Sequence, residues 1–587
     1  MRSRSYKWSA RLALLGVLAM ALVALPGFQC TDPDPGTPVW PSWGGDLENT
    51  HQARHTTINA GNVHALRQKW VVRTGGNVSA TPTLTSTRLY VPDWGPALVG
   101  PSSLYSIDRE TGEVLSKKSV FDYSGNLLNN VMRSSPAIAG DLLIFGDLRN
   151  QPSTLLAIPG AHGATLYAVN RLTGELVWKT QLESHPLSVT TQSPVVYGNR
   201  VFVGVSSLEE AASKLGYDCC SFRGSMLALD VATGRILWKT YMTPPAANIF
   251  AKPDFTGAAV WGSAPAIDEA RHQLYIATGN NYSFPVALRE CLAAHRGDPA
   301  AQQSQCYERL DPPDNYAETV LALDLDTGAV RWARKMHNYG AWTFACDPDL
   351  IPWVPVYEPN CQDLDSLDFD FGQAPMLVKA SSSGLTHDLL GIGQKSGVFF
   401  ALDPDDGSDV WTTRIGPGGA LGGIEFGSAT DGQRFYVQNT NFDHTPMLLT
   451  AGPHAGEVAE GGIWAAIDVA SGDVVWQTPD PSSFLPQTGD ITHVTWGAHK
   501  GPGFFGVDMG PLTVANGVLF GGSMDREGHM YAFDAATGAI LWSFASGGSV
   551  MSAPSVDGNM VYWGSGYSQG FSNNALYAFE LPATPAP

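Results

Sequence analysis

Seven times along the chain a short run of alternating apolar and small or polar residues leads into Asp or Asn, then a tight turn, then a second alternating run. The copies read LYSIDRETGEVL (104–115), LYAVNRLTGELVW (166–178), MLALDVATGRILW (226–238), VLALDLDTGAVRW (320–332), FFALDPDDGSDVW (399–411), WAAIDVASGDVVW (464–476) and MYAFDAATGAILW (530–542). A period of two on both sides of a glycine turn predicts a hairpin, with Gly112, Gly174, Gly234, Gly328, Gly407, Gly472 and Gly538 free to adopt positive φ. The Trp that closes most copies is placed to wedge against a neighbouring sheet. Two further strand signals precede most copies, as in SSPAIAGDLLIFGD (134–147) and MGPLTVANGVLFGGS (509–523).

Four short strands per repeat define a blade, and a ring of such blades is a β-propeller. An eighth unit is split. SAPSVDGNMVYWGS and ALYAFEL stand near the C-terminus, and ALRQKWVVRTG (65–75), with Trp70, supplies the missing strand from the N-terminal side. The expected fold is therefore all-β: an eight-bladed propeller over residues 40–582, closed by strands from both ends, with a tail at 583–587. Closure of this kind removes the open sheet edges that invite aggregation. Composition agrees, with 63 Gly, 40 Pro and 17 Trp in 587 residues and only 15% charged side chains. A formal net charge of −20 argues against a nucleic-acid backbone or an anionic membrane as partner.

The N-terminus has a different pattern. A basic MRSRSYKWSAR precedes the apolar run 12–25, which Pro26 and Gly27 break, the layout of a secretory signal over residues 1–29. The run is too short for a comfortable membrane span. Residues 30–39 read as a linker that begins at Cys30. This cysteine is a candidate lipid anchor, although Gln29 stands where a small residue is usual, and simple cleavage nearby is the alternative. The expected location is exported, either periplasmic or as an outer-membrane lipoprotein, where disulfides are permitted.

Six cysteines remain, and six allow about 15 pairings. The close spacings of Cys291 with Cys306 and of Cys346 with Cys361 suggest two loop staples. Cys219 and Cys220 are then left either to each other or as reduced or differently paired thiols. A bridge between neighbours closes almost no loop and gains little chain entropy, so stability is a poor reason to have one.

The repeats resemble those of the quinoprotein alcohol dehydrogenases, propellers that hold pyrroloquinoline quinone (PQQ) and calcium on their axis. CCSFRGS, SSLEE, DFDFGQAPM and SGGSV…YWGSGY are similar to the polyvinyl-alcohol dehydrogenase branch, and the likeness runs from Trp40 onward. The resemblance implies that Cys219 and Cys220 form a disulfide stacked on one face of the quinone, with Trp261 as its floor. It implies Glu209 and Asn280 as calcium ligands, with Glu210 a rival for the first role. Arg133, Thr191 and Ser206 correspond to groups that bind the quinone carboxylates. Lys395 corresponds to the cation beside the reactive carbonyls, where it would stabilise charge developing on reduction.

One departure stands out. The family's catalytic Asp is sought two residues before a Trp, and in MHNYGAWTFACDP that place holds Gly340, which cannot take a proton. Asp347, six residues on from Ala341, is the substitute, with Glu209 as the other candidate. The expected activity is an exported PQQ- and calcium-dependent dehydrogenase of alcohol groups, polymeric secondary alcohols among them. The chain contains no CxxCH, so an external acceptor such as a cytochrome c is implied. A non-catalytic envelope scaffold or PQQ sensor is the alternative. The long segments 286–316 and 343–371 are expected to shape a substrate mouth.

Overall fold

The computed structural model describes residues 36–582, apart from 97–99, 150–161, 249–250, 337–339, 348–359, 363–365, 485–505 and 569. The signal segment, Cys30 and the tail therefore lie outside the described residues. Among those described, no helix is long and apolar enough to cross a membrane.

Eight antiparallel sheets are present, one for each repeat. Blade 1 is Thr83–Thr85, Arg88–Pro92, Ser103–Asp108 and Val114–Ser119. Blades 2 to 7 follow in chain order, with innermost strands at Ala137–Ala139, Val195–Tyr197, Ala266–Asp268, Met376–Val378, Ala429–Thr430 and Thr513–Ala515. Blade 8 is the composite unit. Ser555–Asp557, Met560–Ser565 and Ala575–Glu580 pair in order, and Arg67–Arg73 adds the outer strand, antiparallel, with Trp70 opposite Ala578. The expected eight blades and their closure are both present.

The hairpin glycines explain how blades dock. All seven have φ between 69° and 78°. At Gly328 an added Cβ would lie 2.4 Å from the Trp238 ring, and at Gly234 it would lie 2.5 Å from Trp178. Each Trp thus covers the bare turn of the next blade, and its indole N–H donates there. Trp70 donates to Arg109 O (3.0 Å), Trp178 to Val231 O (2.8 Å) and Trp238 to Leu325 O (3.1 Å). Trp332 donates to Pro404 O (3.0 Å), Trp411 to Val469 O (3.0 Å) and Trp476 to Ala535 O (3.1 Å). The first repeat carries no Trp, and there Tyr123 donates to Gly174 O at 2.9 Å instead.

A second device was not legible beforehand. The segment after Trp40 is no passive lead-in but a belt across the inner strands. Its carbonyls accept from Ile138 N (at Pro41), Ile267 N (at Leu47), Leu377 N (at Glu48), Thr430 N (at Thr50) and Val514 N (at His51), while Thr57 N donates to Gly558 O. Pro38–Trp40 pairs with Thr83–Thr85. Seven of the eight blades are thereby tied to one strand of chain. Asn49, fully buried, donates its amide to Ala264 O and Pro375 O, both at 3.2 Å.

Candidate functional site

Each innermost strand is entered from a segment that lines the axis, and successive blades contribute to one cavity of about 460 Å³. Thr81, Arg133, Ser135, Thr191, Ser193, Trp261, Ser263, Phe426 and Tyr567 are among its walls, and Trp43 of the belt is another. Trp43 stacks edge-on against His51 at 4.1 Å, and burial pushes the His51 imidazole down to about 3, so this end is uncharged. The hydroxyls of Thr81, Ser134 and Ser135 are buried without a partner. Such a lining suits a polar guest or ordered water.

Beside Trp261 lies a concentration of buried charge. Lys395, in the turn between Leu389–Gly393 and Val398–Leu402, places Nζ 2.9 Å from Asp368 Oδ2, 2.9 Å from Asp370 Oδ1 and 3.7 Å from Glu425 Oε1. The same ammonium is 5.0 Å from the Trp261 ring centroid. Trp261 Nε1 donates to Asp370 Oδ2 at 2.8 Å, which fixes the plane of the indole. Gly372 keeps that plane bare, since a Cβ there would lie 2.6 Å from the ring.

The electrostatics follow from burial. Removal from water alone would lower the Lys395 pKa, but Asp368, Asp370 and Glu425 hold it well above the ordinary lysine value. Burial pushes Asp368 up to about 7 against the pull of Lys395, and raises Glu425 to about 8. Glu210 is raised to about 8, first by burial and then by Asp368, and Tyr282 hydrogen-bonds it. Four carboxyl groups thus face one ammonium, Asp368, Asp370 and Glu425 buried and Glu210 half-buried, with Arg133 acting on Glu425 and Tyr567 from the cavity side. An excess of negative charge in a low-dielectric pocket attracts a cation.

The two adjacent glutamates divide the work. Both follow the long strand Arg200–Ser207. Glu209 is fully buried, and its oxygens accept from Ser221 N (2.9 Å), Phe222 N (2.9 Å) and Ser221 Oγ (3.3 Å), with His185 Nε2 at 3.3 Å. It therefore anchors the turn that carries Cys219 and Cys220, whose sulfurs lie within 4.8 Å of its carboxylate. Glu210 instead faces Asp368, Asp370 and Lys395. The structure joins Cys219 to Cys220, Cys291 to Cys306 and Cys346 to Cys361. Cys220 belongs to the buried apolar group formed with Phe222, Ala259 and Tyr282, against which Cys219 and Trp261 also pack.

Asn280 is buried just past Gln273–Ala277 and donates its amide to Trp342 O (2.7 Å) and Asn281 O (2.9 Å). Its Oδ1 has no partner. A buried amide oxygen held in place yet unsatisfied is what a hard cation requires, and carboxylates complete such a set.

The remaining sequence candidates fall at different distances from this centre. Arg133 is half-buried on the cavity wall, 5.5 Å from the Phe426 ring. Thr191 lines the same wall and its hydroxyl donates to Trp261 O at 3.5 Å. Ser206 is buried opposite Val189, outside that wall. Asp347 has a backbone carbonyl that accepts from Lys214 Nζ, and its charge adds to the upward shift of Asp368. Gly340, at φ 101°, adjoins Ala341, which bridges to Asn281. The residues that sequence reasoning passed over are Asp368, Asp370, Glu425 and Tyr282. DFDFGQAPM was noted for its likeness alone, and its paired Asp residues were the available signal. Glu425 and Tyr282 carry no motif.

The fold and this axial centre define a class, and the chain belongs to the PQQ_2 family, whose model bears the description "Outer membrane protein assembly factor BamB" and matches residues 29–334 and 459–582. The resemblance to quinoprotein alcohol dehydrogenases stands as well. A polyvinylalcohol dehydrogenase of Sphingopyxis sp. (strain 113P3) is 28% identical over 588 residues, covering 92% of this chain and 76% of that protein. A second, from Pseudomonas sp, is 28% identical, covering 95% of this chain and 78% of the other. Among solved structures, a europium-containing methanol dehydrogenase superposes with a TM-score of 0.61 at 18% identity, covering 94% of this chain and 99% of that one. The last likeness speaks to fold alone.

Proposed function

We propose that the protein is an exported quinoprotein dehydrogenase that oxidises alcohol groups with PQQ and a divalent cation, calcium in the first instance. The observation that carries this reading is the cluster of buried Asp368, Asp370 and Glu425 and half-buried Glu210 around Lys395, set beside Trp261 and the unpartnered Asn280 oxygen. The residues fit the cofactors. Glu210, Asp368 and Asn280 would hold the cation, Trp261 and the Cys219–Cys220 disulfide would face the quinone ring, and Arg133 and Thr191 would meet its carboxylates. When bound, PQQ would supply a two-electron acceptor and the cation Lewis acidity.

The chain's own part is proton handling, orientation and charge. Asp368 takes the proton of the substrate hydroxyl at Oδ2, the oxygen that also accepts from Lys395 Nζ at 2.9 Å. Asp347, the substitute expected from the sequence, acts on Asp368 through its charge and stays the second candidate for this role. Lys395, held cationic by its three carboxylates, stabilises negative charge developing beside the Trp261 face. Glu209 keeps the disulfide turn in place. Electrons leave to an external acceptor, and a relative bears the name lupanine 17-hydroxylase [cytochrome c].

The direct test mixes the purified chain with PQQ and calcium and follows a dye acceptor with several primary and secondary alcohols. Alcohol-dependent dye reduction is expected, and it requires both additions. PQQ taken up without turnover on any alcohol would favour a sensor instead.

A further inference from the structure

Phe426 stands between the buried Glu425 and the innermost strand of blade 6, Ala429–Thr430, and its φ is 56°. For a bulky residue this is a true outlier, whereas glycine reaches it without strain. Across it Gly427 N donates to Glu425 O at 2.7 Å, so Phe426 is the centre of a three-residue turn of the rare, strained hand. The surroundings enforce that turn. Phe426 N donates to Gly372 O (3.2 Å), Ser263 Oγ donates to Phe426 O, and Gly427, at φ 145°, lays its bare Cα against Trp43. Strain of this kind persists only where the fold over-determines it, and it gathers at binding and catalytic sites. A glycine would make the same turn more easily, so what Phe adds at this position is its ring.

That ring stands on the wall of the axial cavity and touches two other groups of the wall. It meets the Trp261 indole edge-to-face, with centroids 5.9 Å apart and planes 72° apart. On it lies the Arg133 guanidinium, 5.5 Å from the ring centroid and within cation–π range. Glu425 and Tyr567 feel the charge of Arg133. Yet among the described residues Arg133 makes no hydrogen bond and no ion pair, which leaves the Phe426 ring as its support. A long cationic side chain without such a support has many rotamers to give up when it meets a ligand, and holding one of them in advance reduces that loss.

We propose that Phe426 is a positioning residue for Arg133: its ring, aimed by the strained turn, holds the guanidinium beside Trp261, where an anionic group of a planar ligand resting on that indole would meet it. The inference rests on the reading of the axial centre as a PQQ site and adds to it the device that orients its cation. Its test titrates PQQ and PQQ trimethyl ester, whose carboxylates are capped, into the full chain with calcium by calorimetry. Phe426→Leu is expected to weaken PQQ about tenfold and the ester less than about twofold, and Phe426→Tyr, which keeps the ring face, to match wild type on both. In an Arg133→Gln background, Phe426→Leu should take nothing further from PQQ binding. Equal losses on the two ligands, or additive losses in the double variant, overturn the role. A readout free of cofactor follows phenylglyoxal modification of Arg133 by peptide mapping. The residue should react several-fold faster in Phe426→Leu than in wild type or Phe426→Tyr, and equal rates overturn the role as well. If wild type takes up neither PQQ nor the ester, the quinone reading fails instead, and the phenylglyoxal rates still decide whether Phe426 holds Arg133.

Discussion

Lys395 and the carboxylates around it set what individual substitutions should do. Replacing Lys395 by Met leaves Asp368, Asp370 and Glu425 buried without their cation, and breaking such a cluster costs about 3–5 kcal/mol. A fall in the thermal midpoint of the cofactor-free chain is therefore expected, and alcohol turnover should drop by a factor of at least about a hundred. The adjacent glutamates should separate cleanly. Glu210→Gln removes a carboxylate facing the cluster, so it should weaken calcium binding by calorimetry with little change in folding. Glu209→Gln loses an acceptor of two backbone amides, so it should destabilise the Cys219–Cys220 turn first. Equal effects of the two would contradict this division. At this scale the sequence was half readable. The paired cysteines and Asn280 stood out through their motifs. Yet nothing in SSLEE tells which glutamate turns inward, because that depends on where Ser221 and Phe222 place their amides after an intervening loop. Asp368 was overlooked because the search for a proton acceptor stopped at Gly340 and Asp347, whereas the acids paired with Lys395 come only after the Cys346–Cys361 staple.

Between blades, the Trp and glycine pairs make a local claim with a sharp outcome. Gly328 has φ 69° and no room for a Cβ against Trp238. Gly328→Ala should therefore cost about 1–3 kcal/mol from positive φ and the ring clash together, readable as a lower urea midpoint. The same substitution at Gly198, where φ is 59° but nothing lies within 4 Å, should cost less. These hairpins were legible because turn chemistry and period-two patterning are local properties. The belt over Pro38–Thr57 was not, since its hydrogen bonds reach as far along the chain as Gly558, and no periodicity announces a segment that bonds to seven sheets. Asn49→Ala removes two buried hydrogen bonds between the belt and blades 4 and 5, so a loss of about 1–3 kcal/mol is expected.

For the molecule as a whole, the buried acids couple stability to pH and to metal. Asp368, Glu425 and Glu210 have folded values of about 7, 8 and 8, all above those of an unfolded chain. The folded state then binds more protons than the unfolded state between about pH 4 and 8, so stability falls as pH rises through that window. The thermal midpoint of the cofactor-free protein should drop from pH 5 to pH 8, and calcium should restore more of it at pH 8, where the carboxylates are ionised. The ring itself was readable from repeats alone. A site on the axis was implied by the resemblance, but the cluster of Asp368, Asp370 and Glu425 around Lys395 was not, because it depends on how separate loops meet in space.

The central claim is that Glu210, Asp368 and Asn280 surround a cation beside the Trp261 face. Crystals grown with PQQ and soaked in a trivalent lanthanide would test it most directly, since the ion scatters anomalously. The account predicts one strong anomalous peak within coordination distance of those three side chains, next to a flat density between Trp261 and the Cys219–Cys220 sulfurs. A peak confined to surface acids, with no density over Trp261, would contradict it.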